Sequence, residues 1–215
     1  MASAESNIFK IIMLQAISGV NNAGYALMGP FEDLAMEEIK AQYETNLFGV
    51  IRVIQAVLPI MRKQKSGIIV NISSGAVTLG FPIDSAYVST KFAIEGLSES
   101  MAYELEPFRI KVVLVEPGFI KTNIINNMVT AKKSQDANSP YSEHMGNIVS
   151  LIEHGHETGS SPDVVAKAVL KAVTSENPIL RYLAGKDVEK MMEAKRSMSD
   201  EEFHKMIKQN IMKYR

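Results

Sequence analysis

Ser66-Gly67-Ile68-Ile69-Val70-Asn71-Ile72-Ser73 is a short β-branched run entered through glycine, and Ile110-Lys111-Val112-Val113-Leu114-Val115 is a second. Near-continuous apolar runs of this kind suit strands covered on both faces, as in a parallel sheet. Around them the apolar period becomes helical. Ile39, Tyr43, Leu47, Val50, Ile54, Leu58 and Met61 recur every three or four residues, with Pro59 near the end of the pattern, where it costs least. Ile94, Leu97, Met101 and Leu105 form a second stripe, predicting a helix over about 85–105. Helix, strand, helix, strand gives an α/β fold built on a parallel sheet.

Further along, 123–160 reads as an irregular segment of Asn, Ser, Lys, Gly and scattered Met with at most short helices. Connections of that length are usually functional or disordered. Ser161-Pro162-Asp163 supplies an N-cap, a first-turn proline and an early acid for a helix through about Ser175. Ile179–Leu183 suits one more strand, and Ser199 with Glu202 forms a capping box before a charged C-terminal helix.

With 215 residues, 46% apolar and 22% charged, the chain suits one globular domain. Its net charge of -1 and dispersed basic residues give no footprint for nucleic acid. The absence of cysteine excludes disulfides, thiolate metal sites and thiol nucleophiles. Glu5, Gln15 and Ser18 interrupt the apolar N-terminal stretch, which therefore fits neither a secretory signal nor a membrane span. A cytoplasmic protein with no membrane partner is expected. His154 and His156, flanked by Glu153 and Glu157, read as a solvated segment more readily than as metal ligands.

Tyr87 and Lys91 stand at i and i+4, on the side of their helix that carries Ile94 and Met101. Reduction of a carbonyl needs an acid for the oxygen as hydride arrives, and a phenol near its ordinary pKa of about 10 is a poor proton shuttle. A neighbouring ammonium favours the phenolate and moves it towards the working range. By itself such a pair is weak evidence: Tyr182 and Lys186 repeat the spacing without any catalytic context. Ser74 provides context for Tyr87, because it follows the first strand at its carboxyl end, where α/β sheets bind ligands. A hydroxyl there can hold a substrate carbonyl beside the phenol. Asn46 falls near the apolar face of its helix, where an amide must find partners.

In order, Asn22-Ala23-Gly24, Asn46 within Asn46-Leu47-Phe48-Gly49, Ser74, Tyr87 with Lys91, and Pro117-Gly118 resemble the active-site half of a short-chain dehydrogenase/reductase, of a carbonyl- or hydroxysteroid-reductase-like kind. Ser74 lies thirteen and Asn46 forty-one residues before Tyr87, which matches that family. The resemblance implies catalytic roles for Asn46, Ser74, Tyr87 and Lys91, with Asn46 holding a water that leads to the lysine. It also implies contacts to NAD or NADP from Asn22, Ala23, Gly24, Tyr87, Lys91, Pro117, Gly118, Ile120 and Thr122. Further implications are a lid over an alcohol or carbonyl substrate from 123–160, and a homo-oligomer through the helices of Asn46 and Tyr87. Leu79, Phe81, Pro82, Met128 and Met145 are candidates for an apolar pocket.

The family's opening strand and Thr-Gly-x-x-x-Gly-x-Gly motif find no match here. Residues 1–20 read as an atypical segment, with Gln15–Val20 a degraded strand; 21–185 read as a truncated catalytic domain and 186–215 as a helical extension. The expected architecture is a partial Rossmann-like, doubly wound sheet lacking its first strands, plus a helical lid and C-terminal helices. Without the helix terminus that receives a diphosphate, weak or absent cofactor binding is expected. A non-catalytic remnant acting in dimerisation or partner binding is the alternative reading.

Overall fold

The structure is a computed structural model that describes residues 18–212. Four strands form one parallel sheet in the order β1-β3-β4-β6: β1 Ser18–Asn21, β3 Gly67–Ile72, β4 Ile110–Pro117 and β6 Arg181–Ala184. Among the described residues β1 is an edge strand, and its register runs from Ser18 opposite Ile68 to Asn21 opposite Asn71. Gln15 to Ile17 of the expected first strand lie outside the described residues. The last strand is Arg181–Ala184, shifted from the expected Ile179–Leu183. A second small sheet pairs β2 Leu27–Met28 with β5 Val129–Thr130.

Both faces of the main sheet are covered, as its apolar runs require. On one face, Ile69, Ile110, Val112 and Leu114 pack against two long helical units. The first comprises α1 Met36–Tyr43 and α2 Gly49–Gln64, joined through a π-turn at Glu44–Phe48. The second is α3 Ser85–Leu105, whose Ile94, Met101 and Leu105 meet Val50, Ile54, Val57 and Met61 of α2. Met36–Gln64 is long and apolar enough by composition to cross a membrane, but its strongest apolar stripe is the one packed on the sheet. The opposite face, Ile68, Val70, Val113 and Val115, is covered by α5 Asp163–Thr174.

The segment 123–160 differs from the irregular stretch expected of it. Its second half is a 17-residue helix, α4 Ser142–Thr158, whose Met145, Ile148 and Ile152 are buried with Ala26, Met28 and Ile83. His154 and His156 are therefore helical rather than in a loop. The C-terminal charged region is likewise two helices, α6 Lys186–Ser197 and α7 Asp200–Met212. The capping box separates them: Ser199 N–H donates to Glu202 Oε2 at 2.9 Å and Glu202 N–H to Ser199 Oγ at 3.3 Å.

Candidate active site

A parallel sheet sends its strand-to-helix connections to one end, and the groups that can react collect there. From β3 the chain passes through Ser73 and Ser74 into a tight turn at Gly75–Thr78, while the first turns of α3 bring Tyr87 and Lys91 to the same place. Together with Asn22, Gly24, Pro117, Gly118, Ile120 and Thr122 they line a cavity of about 830 Å³. Ala23 and Asn46 are not among its lining residues. Leu79, Phe81 and Met128 from the expected apolar pocket line it; Met145 instead belongs to the core beneath α4.

The phenol of Tyr87 hydrogen-bonds the Ser74 hydroxyl, whose oxygen also accepts from Ala76 N–H at 3.1 Å. Burial pushes the phenol up to about 12; the Ser74 bond opposes this and the nearby Asp84 carboxylate adds to it. Lys91 is 8% exposed, its ammonium 5.6 Å from the centre of the Tyr87 ring. Burial pulls the ammonium down to about 8, against the pull of Glu95 one turn further on. Desolvation thus raises the phenol, contrary to the depression expected from the neighbouring ammonium.

Lys91 Nζ donates to the Ile72 carbonyl at 2.9 Å, which leaves two of its three donors for the cavity. Ser73 Oγ, buried on the same wall, has no hydrogen-bond partner. The two remaining ammonium donors beside a backbone turn suit the ribose hydroxyls of a dinucleotide. Thr122 is exposed, with its Oγ1 3.4 Å from Ile124 N–H.

Asn46 is 2% exposed and works from behind the cavity. Its Oδ1 accepts from Tyr25 N–H at 3.1 Å, and its Nδ2 donates to the Tyr25 carbonyl at 2.9 Å and to Thr90 Oγ1 at 3.3 Å. Gly24 leaves room for this amide: a Cβ there would lie 3.2 Å from Asn46 Oδ1, a tight contact. Gln42 reinforces the same turn, accepting from Leu27 N–H at 2.6 Å and donating to the Tyr25 carbonyl at 2.5 Å. Below it a polar ladder crosses the sheet: Asn21 Nδ2 donates to Asn71 Oδ1 at 2.7 Å, and Asn71 Nδ2 to Ser98 Oγ at 2.8 Å.

Three side chains at the cavity carry no sequence expectation of their own there. Asp187, in the first turn of α6, accepts from Phe119 N–H at 2.6 Å and presses on Gly118, where a Cβ would run into its carboxylate. A side chain at 118 would thus have to displace this carboxylate from Phe119 N–H. His156 projects from α4 with Nδ1 2.8 Å from the Ile120 carbonyl and its ring edge-on to Phe119. Asp84, immediately before α3, is the third. No group of three or more metal-ligating side chains occurs among the described residues. Tyr182 lies in β6 and Lys186 opens α6, so the second Tyr-x-x-x-Lys shares no helical face.

Residues 1–133, more than half of the chain, match the family model described as short chain dehydrogenase, and the match includes the segment that read as atypical. An uncharacterized oxidoreductase of Bacillus subtilis, YusZ, is 42% identical over 79% of this chain and 61% of its own length. A 3-ketodihydrosphingosine reductase of Bacteroides thetaiotaomicron is 38% identical over 77% of this chain, again 61% of the relative. The chain thus spans about six-tenths of the length of these curated relatives. Among solved structures, a short-chain dehydrogenase from Streptomyces avermitilis superposes with a TM-score of 0.72 at 34% identity, covering 90% of this chain and 71% of that one. By sequence and by fold, the chain belongs to the short-chain dehydrogenase family of oxidoreductases.

Proposed function

We propose that the chain carries an NAD(P)-dependent site that interconverts a ketone and a secondary alcohol, with Tyr87 as its acid. The observation that carries this reading is the Tyr87 phenol, hydrogen-bonded to Ser74 and one helical turn from a buried Lys91, on the wall of one cavity.

In the reducing direction Ser74 and Tyr87 hold the carbonyl oxygen between two hydroxyl donors. Lys91, Pro117 and Gly118 would hold a nicotinamide, whose chemistry would be to give a hydride to the carbonyl carbon or take it back in the reverse direction. Tyr87 passes its proton to the oxygen as negative charge develops there, and Ser74 stabilises the phenolate that remains. Lys91 gives the phenolate a counter-charge and offers its two remaining donors to ribose hydroxyls. Asn46 serves by fixing the Tyr25 backbone; since both amide hydrogens are engaged, the relay water proposed for it draws on an oxygen. The ketone-reducing direction is in keeping with the name of one relative, a 3-ketodihydrosphingosine reductase. Phe48, Val53, Phe92 and Tyr103, all exposed on the helices of Asn46 and Tyr87, support a homo-oligomeric assembly through those helices.

Reduction of 2-octanone with NADH or NADPH, assayed with the wild type and Tyr87→Phe, tests the reading. Turnover that depends on Tyr87 is expected; equal turnover in the variant would remove the proposed acid.

A further inference from the structure

An aspartate just before a helix ordinarily accepts a hydrogen bond from the first-turn N–H groups. Asp84 occupies that position before α3 and makes no such bond. Its Oδ1 is fully buried and has no hydrogen-bond partner. The residue lines the same cavity as Ser74, Tyr87 and Lys91. Capping the helix is therefore not what holds this carboxyl in place.

The preceding backbone explains how it comes to face inward. Ile83 has φ 58°, a left-handed conformation that β-branched residues rarely adopt. The turn is held from several sides. The Ile83 carbonyl accepts from Gly29 N–H at 2.7 Å, and the Ile83 side chain is buried with Ala26, Met28, Ile148 and Ile152. Strained conformations of this kind persist where the surroundings over-determine them, commonly at ligand sites.

In its isolated state Asp84 is a burden on the site. Burial holds its carboxyl well above the usual range, and its charge pushes the Tyr87 phenol the wrong way for proton release. Oδ1 is closed to solvent and stays unpartnered, so a ligand reaches the carboxyl from the cavity through Oδ2. A ligand hydroxyl suits this oxygen. It can donate and accept, so it pairs with the acid in either protonation state, whereas an ammonium pairs only with the carboxylate.

The geometry also limits where such a hydroxyl sits. Asp84 stands immediately before the helix and Tyr87 in its first turn, close enough for the Asp84 charge to act on the phenol. The second hydroxyl therefore lies within a few bonds of the reacting carbon. Leu79, Phe81, Met128 and Ile152 leave an apolar wall for the rest of the molecule. We propose that Asp84 is a specificity-determining residue that receives a second hydroxyl of the substrate, so that the site selects vicinal hydroxy ketones and diols with an apolar tail. This rests on the alcohol–ketone reading of the Tyr87 site.

A binding measurement keeps the two readings separable, because it needs no turnover. Affinities of the purified chain for 2-octanol, 1,2-octanediol and 1-amino-2-octanol are compared by ligand-observed NMR, with the wild type, Asp84→Leu and Asp84→Asn. The wild type is expected to favour the diol over 2-octanol by about tenfold, the scale of one buried hydrogen bond to an acid. In Asp84→Leu the ratio collapses to about one, and in Asp84→Asn, which keeps an acceptor oxygen, most of it survives. Thermal unfolding establishes that each variant is folded; if Asp84→Leu is not, Asp84→Ala carries the same expectation. Absence of diol preference in the wild type, its survival in Asp84→Leu, or a preference for the amine alone would overturn the proposal. Loss of ketone reduction with the diol preference intact would instead count against the hydride-transfer reading.

Discussion

The Tyr87 site and the Arg181 cluster both hang on α3, one helical turn apart, and they balance their charges differently. Arg181 Nε lies 3.0 Å from Glu95 and 3.5 Å from Glu116, and its Nη2 lies 2.8 Å from Glu99. None of the four lines the cavity; the cluster closes on itself and ties β4 and β6 to the helix. At the other position Lys91 is held by a backbone carbonyl rather than a carboxylate, and Asp84 faces the same cavity without a partner. Perturbed titration occurs in both places, so it does not by itself mark function. What distinguishes them is whether the residues that carry the unmet polar atoms line a cavity that a ligand can fill.

The largest expected effect falls on the open side. Lys91→Met should lower kcat/KM for ketone reduction by roughly 100- to 10,000-fold. In the wild type the ammonium is present below about 8 and lost above it. The rate of reduction should therefore be level up to that pH and fall beyond it, and a profile that rises through pH 9 would break the assignment.

Gly118→Ala comes next, because its Cβ would collide with the Asp187 carboxylate. Chemical denaturation should show a loss of about 1 kcal/mol, the lower range for overpacking, because the exposed carboxylate can turn aside. Asp187→Ala in the same chain should restore most of it, and failure of that rescue would locate the constraint elsewhere. Asn46→Ala removes the acceptor of the half-buried Tyr25 N–H and one of the two donors to its carbonyl, and should cost about 1 kcal/mol. Hydrogen exchange at the Tyr25 amide should accelerate with it; unchanged protection would deny Asn46 its structural role.

On the closed side the effect is confined to high pH. Burial, with Glu95 adding to it, pushes Glu116 up to about 7. A carboxyl raised above its unfolded value contributes fully below that value, and the contribution is lost as pH rises through the folded one. Glu116→Gln should therefore be about 1 kcal/mol more stable than the wild type at pH 8, with no advantage at pH 4. A constant difference across this range would show that the acid does not titrate in it.

How much of this was legible beforehand depended on how local the cause was. Strands β3 and β4 and helix α3 follow from β-branched runs and a four-residue apolar stripe, and Tyr87 with Lys91 follows from spacing on that helix. Helix α4 escaped because Gly146 and Gly155 interrupt its pattern; a Cβ at Gly155 would sit 2.9 Å from the Phe119 ring, so its cause is tertiary. Asp84 was hidden for a similar reason. An aspartate before a helix reads as a cap, and only the left-handed Ile83 turns it into the cavity. Asp187 lies 69 residues beyond Gly118, and no local pattern announces that the two touch.

Tracing the hydride tests the account most directly. Incubating the chain with 2-octanone and NADH or NADPH deuterated at the transferable position, then analysing the alcohol by mass spectrometry, reports transfer even when binding is weak. Deuterium on the carbinol carbon in the wild type, and none above background in Tyr87→Phe, is the predicted result. Unlabelled ketone recovered from the wild type with both coenzymes at saturating concentration, or equal labelling by the variant, would contradict it.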